Sequence, residues 1–349
     1  MAYRIGICGH FGGKETFLDG QTIKTKVIFH ALCQKYGKDS IVAVDTYGYK
    51  KHPLRLFLQI WEMAKTCEDV LVLPAQNGVK ILLPLLGFLK RRLGCRLHDI
   101  AIGGWLPQML RTHDRLRREC MQLDTIFVET HRMAEELSRL HLKNACVLPN
   151  CKELAIASAQ HQPSFDHPPY PLCIFSRISR KKGITDAIQA VNRVNQRLGK
   201  TAFTLTIYGQ IEEEYSKEFD TLKRDFGRTI CYGGEIPYEQ GSLIVGQYFA
   251  LLFPTHFATE GIPGTILDAY AGGTPVLSAE WENAGEVIEE NQTGWLYPLG
   301  DTQVLETLLY KLYEHPELFS TMRQNCLIKA QNYQADRVLP TLFRRLAKE

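Results

Sequence analysis

Two carboxylates eight residues apart, Glu260 and Asp268, form the chemically most suggestive pair in the chain. An apolar run at 248–254, typical of a buried strand, precedes them, and a helix is predicted to begin near Thr265 after a loop rich in glycine and proline. Backbone N–H groups at a helix N-terminus lack partners within the helix and attract phosphate. Because carboxylates accept hydrogen bonds from vicinal hydroxyls, such as those of a ribose or a hexose, the segment predicts a sugar-nucleotide site.

This segment resembles the E-x7-E signature of retaining glycosyltransferases with the GT-B fold, in particular glycosyltransferase family 4. The resemblance extends to Val276, with Asp268 in place of the usual second glutamate, a shorter side chain of the same charge. It implies that Glu260 holds sugar hydroxyls near the reacting carbon and that Asp268 holds the ribose. It also implies that the loop and the start of the helix bind the donor, through Gly261, Ile262, Pro263, Gly264 and Thr265.

A basic turn follows the first predicted strand of the second half. Here Arg177, Lys182 and Gly183 match the family pattern G-R-L-x-x-x-K-G. The resemblance implies that Arg177 and Lys182 are catalytic residues that bind the donor diphosphate. Fixed cations there would also stabilise the negative charge that grows on the leaving group. The alternative is a solvated basic turn, and that is our expectation for Arg180 and Lys181.

Glycines after other predicted strands would allow the backbone to approach a ligand. The resemblance implies that Gly12 and Gly13 contact the donor phosphate, although a simple chain reversal explains them equally well. Gly209 and Gly233 match family positions near the donor base and phosphates. Trp105, in a glycine-containing loop after the fourth predicted strand, has two open roles: stacking on an acceptor sugar or filling the core.

The sequence contains no D-x-D motif, so we expect the two cations and helix N-termini, rather than a metal, to neutralise the diphosphate. Neither a metal nor a resident cofactor is predicted. The expected donor is a nucleotide-diphosphate sugar, with UDP as the favoured nucleotide. The resemblance implies hexosyl transfer with retention to a glycan or lipid-linked glycan, in polysaccharide or glycoconjugate assembly. A sugar-nucleotide epimerase of the same fold and a non-catalytic sugar-nucleotide-binding subunit remain alternatives.

The elements that must position these residues alternate between strand and helix along the whole chain. Strands are predicted at residues 3–8, 41–45, 69–73, 97–102, 125–128, 145–148, 171–175, 203–208, 230–233, 248–253 and 275–278. Strict alternation predicts an α/β protein with parallel sheets, and the polar, proline-rich residues 160–169 predict a linker. We therefore expect an acceptor-side domain at 1–165 and a donor-binding domain at 170–334. The resemblance implies the GT-B arrangement of two facing Rossmann-like domains, with a helix at 335–349 crossing back to the first.

The chain has 349 residues, of which 45% are apolar and 23% charged, and we expect a cytoplasmic protein without a signal segment. Its charge is uneven, since residues 1–165 contain 23 Lys and Arg but 15 Asp and Glu. A basic half favours anionic partners; we expect a glycan or lipid-linked acceptor and no nucleic acid. Residues 81–92 join an apolar run to a cationic end. They predict either peripheral contact with the inner face of a membrane or a buried helix with a solvated end.

Overall fold

The computed structural model describes residues 4–13, 19–49 and 51–346, except the side chain of His161. Position 3 of the first predicted strand and positions 347–349 of the last predicted helix lie outside the described residues. The chain divides into two compact units: an N-terminal unit, Met1–Lys152 with Ala335–Glu349, and a C-terminal unit, Glu153–Gln334.

The N-terminal unit is built on a parallel sheet whose four central strands are almost entirely buried. In chain order its elements are β1 Ile5–Gly9, α1 Gly20–Tyr36, β2 Ile41–Asp45, α2 Pro53–Thr66, β3 Asp69–Leu73, α3 Val79–Leu93, β4 Arg96–Ile100, α4 Leu106–Thr112, α5 Asp114–Cys120, β5 Thr125–Val128, α6 His131–Arg139 and β6 Ala145–Val147. The strand order in the described residues is β2-β1-β3-β4-β5-β6. Continuous apolar strands such as β1 and β3 are explained by helices covering both faces of the sheet.

The C-terminal unit repeats this architecture. Its elements are β7 Tyr170–Phe175, α7 Ile184–Leu198, β8 Phe203–Tyr208, α8 Ser216–Leu222, β9 Ile230–Gly234, α9 Gly241–Val245, β10 Ala250–Phe253, α10 Gly264–Ala271, β11 Val276–Glu280, α11 Ala284–Val287, β12 Gly294–Pro298, α12 Thr302–Glu314 and α13 Glu317–Ala330. Its described strands pair in the order β12-β11-β10-β7-β8-β9, all in parallel. The sequence prediction missed β12, because a glycine and a proline bound this short strand; both are tolerated there since β12 lies at the sheet edge.

The division between the units falls at Lys152 and Glu153, upstream of the predicted linker at 160–169. The reason is that the linker residues pack on the C-terminal unit. Gln162 Oε1 accepts a hydrogen bond from the buried Arg323, with 2.6 Å between Oε1 and Nη2. The ring of Phe165 packs edge-to-face on Phe249, with 5.4 Å between the centroids.

The last helix, α14 Ala335–Leu346, groups with the N-terminal unit although it follows the whole C-terminal unit in the chain. Its side chains Val338, Leu339, Leu342 and Leu346 are buried in one apolar cluster with residues of β1 and α1. The amphipathic repeat at i, i+1, i+4 and i+8 thus provides a single apolar stripe that covers one face of the first sheet.

Candidate functional site

The loops that follow β7 and β10 are locked together. Gly183 has φ of 63°, and a Cβ atom at this position would lie 1.8 Å from the carbonyl oxygen of Pro254. Only glycine can therefore occupy the turn without displacing the neighbouring loop. The backbone N–H of His256 also donates to the carbonyl of Lys181, at 2.8 Å. These contacts fix the turn that carries Lys182 against the loop that carries the first carboxylate of the E-x7-D motif.

Lys182 and Glu260 form an ion pair through Nζ and Oε1. The two side chains are 23% and 13% exposed, so the pair is largely shielded from water. Glu260 Oε1 also accepts from the Thr255 hydroxyl at 3.0 Å, and the Asn283 amide donates to the Glu260 carbonyl at 2.8 Å. Lys182 Nζ lies 5.5 Å from the centroid of the Phe253 ring, which borders the ammonium with an aromatic face.

Arg177, the other predicted cation, is half-exposed, and its Nη1 lies 3.3 Å from Glu212 Oε1. Both cations predicted to bind the diphosphate therefore face carboxylates. Arg180 lies on the surface, as predicted, and pairs with Glu218.

The N-terminus of α10 opens beside this loop. The helix begins at Gly264 after Pro263, and the Thr265 hydroxyl oxygen is buried without a hydrogen-bond partner among the described residues. The Trp281 indole donates to the Gly261 carbonyl at 3.2 Å and fixes the preceding loop. First-turn amides and a buried hydroxyl without a partner together suit an anionic ligand.

Asp268 lies one turn inside α10 and is buried. It packs against the start of α9, where a Cβ atom on Gly241 would lie 2.8 Å from the carboxyl carbon. Burial raises the pKa of Tyr238, and the charges of Glu239, Glu153 and Asp268 add to the effect. The two carboxylates of the motif thus have different surroundings: Glu260 contacts Lys182, and Asp268 lies against the α9 segment.

Ile262, between the two carboxylates, is buried in the apolar cluster beneath the loop. Gly209 lies next to the arginine-bearing loop: its φ is 138°, and a Cβ atom there would lie 1.8 Å from the Ser176 carbonyl oxygen. A Cβ atom on Gly233 would lie 2.2 Å from the ring of Tyr208. The loop after β8 and the end of β9 therefore need glycine for close packing.

The N-terminal candidates have local roles in the structure. Gly12 and Gly13 have φ of 87° and 59°, and the Gly13 amide donates to Asp45 Oδ2 at 2.8 Å. This arrangement forms a tight turn anchored to the end of β2. Trp105 is buried in the core, and its indole N–H donates to the Ile102 carbonyl at 2.7 Å, which agrees with the core alternative rather than sugar stacking.

Sequence reasoning missed several residues that shape the site. Thr255 contacts Glu260, and His256 Nε2 lies 2.6 Å from Asp186 Oδ2 on α7. The signal for Thr255 was its position just beyond a strand end, where ligand loops of parallel sheets lie. Nothing local in the sequence pairs His256 with Asp186, or Asn283 with Glu260.

Within residues 4–13, 19–49 and 51–346, no helix combines the length and the apolar composition that a membrane span requires. These residues also contain no cluster of three or more His, Cys, Asp or Glu side chains that could hold a metal ion.

Known proteins resemble the chain both in sequence and in structure. Residues 158–329, just under half of the chain, match the family model of glycosyl transferases group 1. The amylovoran biosynthesis glycosyltransferase AmsK of Erwinia amylovora is 31% identical over 150 residues, which cover 42% of this chain and 36% of AmsK. The putative colanic acid biosynthesis glycosyltransferase WcaL of Salmonella typhimurium is 26% identical over 162 residues, covering 44% of this chain and 39% of WcaL. The matches span less than half the length of these curated relatives.

Among solved structures, Anabaena Alr3699/HepE in complex with UDP superposes with a TM-score of 0.76 at 13% identity, covering 98% of this chain and 99% of HepE. Its complex with UDP-glucose gives a TM-score of 0.72 at 15% identity, with 98% of each chain covered. The predicted fold class is confirmed: two parallel α/β sheets in a GT-B fold. Within that fold, the segment that bears Arg177, Lys182, Glu260 and Asp268 is the one that matches group 1 glycosyltransferases.

Proposed function

We propose that this protein is a retaining glycosyltransferase that moves a hexosyl group from a nucleotide-diphosphate sugar to a glycan or lipid-linked glycan. The observation that carries the proposal is the junction of Lys182, Glu260 and the N-terminus of α10 in the segment that matches group 1 glycosyltransferases. UDP is the favoured nucleotide, a choice supported by the HepE complexes with UDP and UDP-glucose. AmsK and WcaL support a place in polysaccharide assembly, which we assign to the cytoplasm.

Donor binding would exchange one anion for another. The diphosphate takes the place of the carboxylates that now contact Lys182 and Arg177, and the first-turn amides and Thr265 hydroxyl of α10 donate to it. Glu260, released from Lys182, accepts from sugar hydroxyls, while Asp268 accepts from the ribose. The two cations and the helix terminus supply the positive charge that the diphosphate needs, so we propose that a divalent metal is not required.

The chemical step breaks the bond between the anomeric carbon and the diphosphate oxygen and forms a bond from that carbon to an acceptor hydroxyl on the same face. The leaving phosphate oxygen takes the acceptor's proton, so no protein nucleophile is needed. Lys182 and Arg177 stabilise the charge that accumulates on the diphosphate in the transition state, where such contacts have their largest effect on rate. The acceptor is assigned to the N-terminal unit.

The test begins with the donor. Thermal melts with a panel of UDP-, GDP-, ADP- and dTDP-sugars identify the nucleotide sugar that stabilises the fold. That donor is then incubated with oligosaccharide and polyprenyl-linked acceptors, and NMR reads the anomeric configuration of the product. Acceptor-dependent transfer with retention supports the proposal. Epimerisation of the donor without an acceptor, or binding without turnover on any acceptor, favours one of the two alternatives.

A further inference from the structure

Helix α2 presents a second apolar face that no described residue covers. Ile60 and Met63 are buried against the sheet, as expected for the core stripe. Leu54, Leu58 and Trp61 nevertheless remain 78%, 65% and 37% exposed. Together with Phe57 they follow an i, i+3, i+4, i+7 pattern, which places them along one continuous outer stripe of the helix.

Helix α3 continues this surface. It packs beside α2 on the same face of the N-terminal sheet, and the buried side chains of both helices belong to one core cluster. Its outward residues Ile81 and Phe88 are 63% and 45% exposed. Half of the twelve exposed large apolar side chains in the described chain lie on these two helices, so the exposure is concentrated rather than scattered.

The charges around the apolar side chains are almost all positive. Helices α2 and α3 contain six Lys and Arg and a single acid, Glu62. Lys90 and Arg91 are held by Asp124 and Glu119 of neighbouring elements. The remaining four cations are Arg55, Lys65, Lys80 and Arg92, none of which has a carboxylate partner among the described residues.

We propose that the outer surface of α2 and α3 is a docking face for an anionic lipid bilayer, with the apolar stripe inserted at the level of the headgroups. Exposed Trp, Phe and Leu beside Lys and Arg are the combination that an interfacial helix needs. Many small anionic headgroups can satisfy cations spread over two helices, without the fixed carboxylate positions that a protein partner would have to supply. The charge complementarity therefore favours lipid over a protein surface.

This face differs from the one that the sequence indicated. Only Ile81 and Phe88 of the predicted apolar run point outward, and two residues of its cationic end are engaged in ion pairs: Lys90 with Asp124 and Arg91 with Glu119. Most of the exposed apolar side chains of the docking face lie on α2. The proposal concerns membrane binding and does not depend on glycosyl transfer, so each can fail without the other.

Trp61 is a built-in reporter for the test. The other three tryptophans, Trp105, Trp281 and Trp295, are buried in the two cores, so a change in emission on adding vesicles reports on Trp61. Phosphatidylcholine vesicles with and without phosphatidylglycerol are titrated at low and high salt, with sedimentation measured in parallel. We expect binding to the anionic vesicles, weakened by salt, with a blue shift that is absent in Trp61→Phe while sedimentation persists.

Variants separate the apolar contribution to vesicle binding from the electrostatic one. L54S/L58S should weaken vesicle binding by about tenfold or more, because two exposed leucines lose their apolar insertion. Arg55→Ser and Lys80→Ser should each weaken it about fivefold, from about 1 kcal/mol per cation. Leu243→Ser, which replaces an exposed leucine of the C-terminal unit, should leave it unchanged. Unaltered melting temperatures show that the variants fold.

Three outcomes would overturn the proposal. They are failure to bind anionic vesicles at low salt, vesicle binding that L54S/L58S leaves intact, and a blue shift of Trp61 that grows with protein concentration in the absence of vesicles. The last outcome, accompanied by a dimer mass that L54S/L58S abolishes, would make the surface an interface between two copies of the chain.

Discussion

Lys182 and Glu260, 78 residues apart in the sequence, meet as an ion pair at the loops after β7 and β10. The contact exists because Gly183 allows the first loop to touch Pro254 and because Thr255 holds the glutamate from the other side. Each partner prevents the other from being left as a shielded, uncompensated charge. A diphosphate that binds Lys182 has to replace this internal carboxylate, and this replacement releases Glu260 for the sugar.

The substitution Glu260→Gln separates the role of Glu260 in sugar transfer from its effect on UDP binding. We expect kcat to fall by about 10²–10³-fold, the usual effect of removing one preorganised polar contact to the transition state. UDP affinity should be equal or higher, because Lys182 loses its charged internal competitor. Calorimetric titration with UDP and steady-state kinetics measure the two effects. Glu280→Gln, an exposed acid at the end of β11, is the matched control and should behave as wild type.

Lys182→Ala and Arg177→Ala should weaken UDP binding by about 10–150-fold each, since each removes a charge-assisted contact of about 1.5–3 kcal/mol. Arg180→Ala removes a cation of the same turn that pairs with Glu218 on the surface. It should leave the dissociation constant for UDP unchanged. Equal loss of affinity in all three variants would mean that only the general charge of the turn matters.

Chelation tests the proposed metal independence. Transfer by the wild-type protein should persist after dialysis against EDTA, because Arg177, Lys182 and the N-terminus of α10 supply the positive charge at the diphosphate. The initial rate with and without EDTA is the measurement. A lost rate that magnesium or manganese restores would show that a cation belongs to the donor complex.

Asp99 on β4 should make stability depend on pH. Both carboxyl oxygens are buried without hydrogen-bond partners among the described residues, and burial raises the pKa of Asp99 to about 7, while Lys24 lowers it in part. A raised carboxyl pKa favours the neutral form in the folded state. The free energy of unfolding is therefore highest below the pKa of Asp99 in the unfolded chain, about 3.9, and decreases as pH rises from there through about 7.

Asp99→Asn cannot ionise, so its free energy of unfolding should exceed that of wild type by about 3–4 kcal/mol at pH 7.5 and lie close to it at pH 4. Urea denaturation at the two pH values measures the difference. A constant offset between the two proteins across this range would show that Asp99 does not titrate there.

Leu342→Ala should destabilise the N-terminal unit by about 2–5 kcal/mol, because this fully buried side chain of α14 fills the cluster over β1 and α1. Thr341→Ala, at the neighbouring and less buried position, provides the control. Thermal unfolding of the two variants should differ by several degrees. Equal melting temperatures would mean that α14 adds little to the stability of the unit.

The sequence was sufficient for the fold class and for eleven of the twelve strands in the described residues, because parallel strands buried on both faces are long apolar runs. The sequence placed Lys182 and Glu260 on loops that each follow a predicted strand, and the structure joins the two side chains. β12 was not predicted because Gly294 and Pro298, which bound it, are residue types typical of turns.

Contacts that depend on packing could not be predicted. The apolar residues of α2 form two stripes, one buried and one exposed. The amino-acid composition of the helix does not show which of the two faces the core. The pairing of His256 with Asp186 joins residues 70 apart, and nothing local marks either of them. The Gly13 amide donates to Asp45, which lies at the end of a different strand, and nothing in the sequence marks this contact.

A crystal structure with an intact nucleotide sugar tests the central claim most directly. We predict that the diphosphate lies between Arg177, Lys182 and the N-terminus of α10, that Lys182 Nζ has left Glu260, and that Glu260 accepts from a sugar hydroxyl. A diphosphate bound elsewhere, with the ion pair between Lys182 and Glu260 still intact, would contradict the account.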